Sequence, residues 1–410
     1  MGMPVVMAGA AKMVIELPLN LFPMEHLREI HDPLHVRLLY LECDGEKQVF
    51  VSLELTSVRE YEIDRLRLLL SELLKAEEER IWICVTHTFS APHTRSVNAL
   101  RDGAVRTKNE RLCGLIEEAV KASAAEALEK LEPAVIFCAN GRSLVNINRD
   151  IETPAGWWTG KNAAGYSDRH LPVLCVESED QKTRAVLYSY DMQSSQMKES
   201  DSVSADVAGA ASSYIEHELP GSVALFCLGA AGDQTAGKSL GSEAESMQAM
   251  EKETIRLGER LGGDVINALR EKRPVEVTSF QRGECCIRCG RQKRPEKLHE
   301  LKPVRAYEFE EDGSIETPVC IFTMGDIAIV GVQPELSSVT GNRIRSGSPY
   351  ACTMALTMVN GGAKYMPDAQ AYDRITYEAM NSSFVRGSAE KLEACTAELL
   401  NRLWKGEKEG

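Results

Sequence analysis

Nowhere in the 410 residues is there an apolar run of the ~18 residues that a membrane-spanning helix needs. Positive charge is also short. Lys and Arg number 47 against 61 Asp and Glu, a formal net charge of −14. A chain so acidic is repelled by duplex nucleic acid unless a basic patch is set apart from the rest. The densest basic stretch, 288–302, is interleaved with Glu296 and Glu300 and reads as a solvated loop or edge. The opening residues MGMPVVMAGAAKMV lack the basic start and long apolar core of a secretion signal, and Val6 stands where a myristoylation signal needs Ser or Thr. These absences predict a cytoplasmic protein with no stable membrane insertion and no nucleic-acid partner. There is no internal repeat and no low-complexity linker.

A second CxxC pair is missing too. Of the 12 cysteines, Cys285, Cys286 and Cys289 cluster in GECCIRCG, but the nearest histidine is His299 and no four-ligand zinc ribbon can be assembled. The cluster therefore reads as a cysteine-rich strand. Cys84, Cys138, Cys175, Cys227, Cys320 and Cys352 lie in apolar runs and read as reduced core residues.

What is present is a globular composition, 43% hydrophobic and 26% charged. Short apolar runs alternate with amphipathic segments. Strands are predicted at 35–43, 47–55, 80–87, 134–139, 172–178, 184–191, 223–229, 318–325, 327–333 and 351–359. Several are continuously apolar, as strands covered on both faces are. Helices are predicted at 57–78, 107–131, 203–217, 244–271 and 384–405; in the first, Ile63, Leu66, Leu69, Leu70, Leu73 and Leu74 fall on one side. The fold class is α/β: a layered, mixed β-sheet core flanked by helices, forming one domain over 1–410 with a polar excursion at about 281–316.

Reactive residues fall repeatedly just after buried strands, where open α/β sheets gather their sites. RIWICV leads to His87 and His93, VALFCLG to Asp233 and Thr235, IAIVGV to Glu335, and TMALTMV to Tyr365. Each has a plain structural reading. His87 can be a strand-end histidine bonded to backbone. Glu335 can be a first-turn carboxylate of a helix starting at ELSSVTGNRIR. Tyr365 can cap the core with its apolar body. The functional reading is a shared cleft with a metal ligand or general base. A separate string, Gly232 to Ser239, satisfies GxxxxGK[ST] after a buried strand, the pattern of a P-loop phosphate binder, with Asp191 as its best Mg²⁺ partner.

Seven segments, in constant order, resemble the signatures of the neutral/alkaline non-lysosomal ceramidase family. AGAAKMVIELP (8–18) resembles its opening strand. VTHTFSAPHT (85–94) resembles THTHSGP, and NINRDIETPAG (146–156) resembles NRSP. SYDMQSSQM (189–197) resembles PVHSTSM, and GAAGDQTAG (229–237) resembles NAGDVSP. QPELSSVTGNRIR (333–345) resembles PGEFTTMAGRRLR, and 360–388 resembles the family's final segment. The resemblance implies that family's catalytic-domain fold and a zinc site from His87, Glu335 and Tyr365. Gln193 stands where the family has a second histidine. Phe89 replaces a substrate-contacting histidine, Thr235 beside Asp233 replaces the active-site serine, and Arg149 and Tyr377 are retained. The family's C-terminal β-domain and secretion signal have no counterpart in these residues.

Zinc holds histidine far better than an amide, so Gln193 should weaken the site unless His93 swings in or a harder ion tolerates oxygen ligands. The resulting expectation is a metal-dependent amide hydrolase acting on a small soluble or lipid-like amide rather than on ceramide. Arg149 and Tyr377 would stabilise the oxyanion, and Thr235 would assist the nucleophile or orient the leaving group. The alternative is a metal-free binding protein on the same fold, with the P-loop binder at 232–239 third.

Overall fold

The computed structural model describes residues 5–95, 100, 102–237 and 246–406. Two β-sheets form its centre. The larger has nine strands. It runs from Val223–Leu228 at one edge through Thr183–Tyr190, His170–Ser178, Glu132–Arg142, Val6–Ile15, Leu34–Cys43 and Glu46–Leu53 to Ile81–Val85 at the other; Arg273–Pro274 adds to Glu132–Arg142. Its two outermost pairs are parallel and the inner ones antiparallel. The sheet curls until Ser52 Oγ donates to the carbonyl of Phe226 at 2.5 Å. The second sheet has four strands, Phe280–Gln292, Glu311–Met324, Ile327–Val332 and Cys352–Leu356, of which only the last pair is parallel.

The sheets pack face to face. Phe50, Trp82, Leu174 and Leu225 of the first meet Phe322, Met324, Ile329 and Met354 of the second in one apolar cluster. Both faces of the central strands are therefore covered, which explains their unbroken hydrophobicity. Helices Glu60–Leu74, Gly103–Glu129, Asp206–Glu218 and Met247–Leu269 cover the outer face of the large sheet. Ser338–Ser346 and Ser388–Trp404 cover that of the small one. The order is helix, sheet, sheet, helix, the layered mixed α/β core that the alternation predicts. Gly9 lets the second of these helices sit close: a Cβ there would lie 2.0 Å from the carbonyl oxygen of Ala127.

All five predicted helices form, within a few residues of their expected ends. Three details differ. Half of the polar excursion is a hairpin arm, and 293–310 between its strands is irregular apart from the short helical turn Leu298–Glu300. The strands Asn146–Thr153 and Gly156–Asn162 carry too little apolar alternation to announce themselves. Glu335 does not open a helix; it lies in a two-residue strand, and the helix begins at Ser338. The cysteine-rich segment is indeed a strand, and period two splits its thiols: Cys285 is linked to Cys395, Cys286 faces solvent and Cys289 is buried. Among the described residues no helix is long and apolar enough to cross a membrane.

Phe322 sits at the centre of the sheet interface, edge-on to Phe50 at 5.7 Å and to Phe280 at 5.2 Å. Phe322→Ala should lower unfolding free energy by about 3–5 kcal/mol in urea titration. An unchanged midpoint would mean that the sheets do not pack through this ring.

Candidate functional site

Five polar strand exits meet at one end of the sheets, and backbone hydrogen bonds tie them together. The exit after Ile81–Val85 binds the one after Thr183–Tyr190 through Phe89 N to Ser194 O, 2.9 Å. Gly232 N donates to Leu336 O and Glu335 N to Lys364 O, both at 2.8 Å. Thr357 N donates to Leu228 O at 2.9 Å. Glu335–Leu336 pairs in parallel with Tyr365–Met366, so Glu335 and Tyr365 stand side by side. His87 takes φ 54°, a left-handed conformation that costs a non-glycine residue on the order of 1 kcal/mol. It turns the imidazole off the strand end into the cleft.

The cleft encloses about 510 Å³. Its floor holds His87, Glu335, Tyr365 and Tyr377, and Phe89 and His93 stand in its wall. Beneath the floor runs a buried polar chain. His87 Nδ1 lies 2.6 Å from the Thr56 carbonyl oxygen, and its Nε2 faces Glu335 Oε2 at 3.3 Å. Gln193 Nε2 donates to the same Glu335 oxygen at 2.7 Å, and Gln193 Oε1 accepts from Arg149 Nη1 at 2.5 Å. Arg149 Nε donates to Glu378 Oε1 at 2.7 Å. The Arg149 guanidinium also lies over the rings of Tyr365 and Tyr377, 5.3 and 6.0 Å from their centres.

Burial dominates the electrostatics here. It would raise the Glu335 carboxyl, but His87 and Arg149 override it and hold Glu335 below the usual carboxylate range. Burial likewise opposes charge on Arg149, yet Tyr365, Glu378 and Glu335 keep it firmly protonated. Asp150 goes the other way: burial, with Glu378 and Asp233 nearby, pushes it well up into the protonated state. Tyr365 is pushed up by burial and remains a neutral phenol.

A carbonyl oxygen only accepts, so His87 Nδ1 carries the hydrogen shared with Thr56. The buried Nε2 then faces a carboxylate oxygen without an aligned hydrogen bond. Two such acceptor edges attract only with a positive species between them, a proton or a metal ion. Ligands bonded at about 2.0–2.1 Å in a tetrahedral site lie about 3.3 Å apart, which matches the observed separation. The Thr56 contact is also the kind of outer bond that orients a metal-binding histidine. His87 and Glu335 thus fit a divalent ion, and Tyr365, paired beside Glu335, is the third residue that the resemblance names. Gln193 does not fit: it turns N–H, not a lone pair, toward Glu335, and its oxygen is committed to Arg149. Among the described residues no group of three or more His, Cys, Asp or Glu is placed to hold a metal, so such an ion depends on the tyrosine.

The remaining expected residues scatter. His93 stays on the cleft wall, its Nδ1 2.8 Å from Glu25 Oε2, and does not join His87. Phe89 packs edge-on against His87 at 4.8 Å. Thr235 lies behind Gln193, its hydroxyl 2.8 Å from that of Ser195. Asp233 accepts from Ser338 N at 2.8 Å and from Asn148 Nδ2 at 3.2 Å, a brace between loops. Arg149 and Thr235 do not line the cleft. Arg149 lies beneath the cleft surface, bonded to Gln193 and Glu378.

Backbone hydrogen bonds over 232–237 argue against the P-loop reading. The amides of Gly232, Gln234, Ala236 and Gly237 all donate to protein carbonyls, which leaves none of them to cradle a phosphate. Asp191 is consumed by Arg345, Ser338 and the amide of Ala230. Lys238 and Ser239 lie outside the described residues. Glu378 and Asp150 escaped the sequence reading. Their signal was a charged residue beside an expected one, next to Tyr377 and Arg149 respectively.

Two solved structures share this fold. Neutral ceramidase from Pseudomonas aeruginosa superposes with a TM-score of 0.79 at 17% identity, over 100% of this chain and 76% of that one. A ceramidase complexed with C2 superposes with 0.79 at 16% identity, over 98% and 76%. The chain thus has the neutral ceramidase-like fold that its ordered segments imply. No protein-family model and no curated protein matches its sequence.

Burial pushes Asp233 up to about 7 from 3.8. The folded chain then binds a proton that the unfolded chain releases. The group's contribution to stability is fully present below about pH 4 and is lost as pH rises toward 7, with a slope of up to about 1.4 kcal/mol per pH unit. Asp233→Asn should flatten the stability profile across that window in urea titrations. Parallel profiles for variant and wild type would reject this role for the brace.

Proposed function

We propose that the cleft hydrolyses an amide of a small soluble or lipid-like molecule other than ceramide. The observation that carries the reading is the His87 Nε2–Glu335 Oε2 pair, 3.3 Å apart on the floor of a cavity of about 510 Å³ and beside two tyrosines. A cavity of that size suits a small-molecule ligand. His87, Glu335 and Tyr365 would hold a divalent ion, zinc or a harder ion, which when bound polarises an amide carbonyl and makes water acidic.

The chain's own groups do the rest. Glu335, held ionised, keeps a fixed negative charge at the cleft floor. Tyr377 accepts from Asn381 Nδ2 at 3.2 Å, which leaves its hydroxyl proton for the carbonyl oxygen. Phe89 and the rings around it exclude water from the reacting face. Arg149, through Gln193, aims the Glu335 carboxylate.

A metal-free binding protein is the second reading. It is favoured by one observation: Gln193 and Arg149 already satisfy and neutralise Glu335 without an ion. The net charge of −14 argues against a nucleic-acid partner in either case.

Elemental mass spectrometry on freshly purified protein separates the two readings. About one metal per chain is expected in the wild type and little in His87→Ala, together with a fall of at least about 100-fold in kcat/KM on N-acyl amides. No metal in either protein, even after incubation with zinc or manganese, would discard the metal-dependent mechanism and leave the binding protein.

A further inference from the structure

A second cavity, of about 270 Å³, is walled by the helices Asp206–Glu218 and Met247–Leu269 and by the segment 31–35, and it shares no lining residue with the cleft. Four carboxylates line it, those of Asp32, Glu54, Asp206 and Glu251, together with His31 and His35 and with no lysine or arginine. Met197 and Ile255 give it an apolar side. Gly209 keeps the wall open in front of Glu54: a Cβ there would lie 3.1 Å from Glu54 Oε1 and 2.2 Å from the Ala205 Cβ.

Glu54 is neutralised from within the protein. It pairs with the buried Arg37, which does not line the cavity, and accepts from His35 N at 2.7 Å. The others have no such partner. Asp32 accepts from Ala205 N at 2.7 Å, and Asp206 accepts from Met197 N at 2.9 Å and Val207 N at 2.6 Å. Among the described residues neither is paired with a lysine or arginine, and Glu251 meets only His31 Nε2, at 3.8 Å. Neutral N–H donors offset part of the cost of burying a carboxylate and leave its charge in place. Burial pushes Asp206 up to about 6, with Asp32 adding to it, and burial with Glu54 nearby raises Asp32.

An acidic wall by itself is usually a solvated face. Thr254 sets this one apart. It lines the cavity, is 7% exposed, and its buried Oγ1 has no hydrogen-bond partner. A helical threonine commonly bonds the carbonyl one turn back, as Thr396 does to Leu392 at 2.8 Å. A buried hydroxyl left without a partner is costly, and a ligand N–H removes that cost. Among the described residues no three His, Cys, Asp or Glu side chains are placed to hold a metal ion. The acidic groups therefore do not converge on one point, and they suit a cation with several N–H donors and a carbon body. We propose that this cavity binds a small primary alkylammonium, whose N–H groups are shared among Asp32, Asp206 and the Thr254 hydroxyl, with Glu251 adding charge and with Met197 and Ile255 against the alkyl chain. The site is independent of the amide-hydrolase reading.

Calorimetric titration with n-butylammonium and with n-butanol, which differ chiefly in charge, tests it. Wild type, Asp32→Asn, Glu251→Gln and Thr254→Val are compared after urea titration has shown each to be folded; if Asp32→Asn does not fold, the other two carry the test. The expected result is one site per chain that binds n-butylammonium at least about tenfold more tightly than n-butanol, and about threefold or more less tightly in each variant. Equal binding of the alcohol would mean an apolar pocket and would overturn the site. No saturable binding, or binding that the variants leave unchanged, overturns it as well. So does equal affinity for Mg²⁺, which carries charge without N–H donors.

Discussion

Arg149 is a guanidinium under a floor of tyrosines, and the surrounding structure is arranged to keep it charged. A lone buried cation costs several kcal/mol, and removing a partner from a buried pair costs about 3–5 kcal/mol. Glu378 supplies the direct counter-charge, and Gln193 accepts a second donor. The rings of Tyr365 and Tyr377 offer their faces. These partners come from two strand exits and a four-residue helix, so neutralising one side chain sets the positions of three segments. Their own backbone ties then follow: Arg149 N to Asp233 O, Glu335 N to Lys364 O, Gly232 N to Leu336 O.

That arrangement makes Gln193 intelligible. A histidine there would compete for the lone pairs around Glu335. An amide offers one donor and one acceptor and can bridge a carboxylate to a guanidinium, which is what it does. The charge of Arg149 is thereby passed to the Glu335 carboxylate, and His87 approaches the same oxygen from the other side. Whether a proton or a metal ion lies between His87 and Glu335, the polar chain behind them is the same. The strain at His87 is tolerated because Thr56 and Glu335 hold the ring from opposite sides.

The cleft is polar and charged as well as aromatic, and its two ends differ. The floor balances acids against one cation inside the protein. Arg59 and Lys364 line the same cavity together with Glu60. The irregular 293–310 stretch brings Leu298 to the cavity, so part of its lining comes from a segment outside the layered core.

The sequence by itself determined the layers. Helical periodicity at Ile63, Leu66, Leu70 and Leu74, and unbroken apolar runs such as RIWICV and VALFCL, predict buried strands between helices because periodicity is local and burial is its cause. The ordered strand exits likewise predicted that His87, Glu335 and Tyr365 share a cleft. Only the tertiary structure decided what each polar residue does there. Nothing local marks Glu378 as the partner of Arg149, 229 residues away, or Gln193 as a bridge to Glu335, 142 residues away. Nor could it show that Thr235 and Asp233 turn away from the cleft, or that the glycine loop spends its amides on protein carbonyls. Hydrogen bonds and charge pairs are short-ranged in space and indifferent to separation in sequence, so they become visible only when the chain has folded.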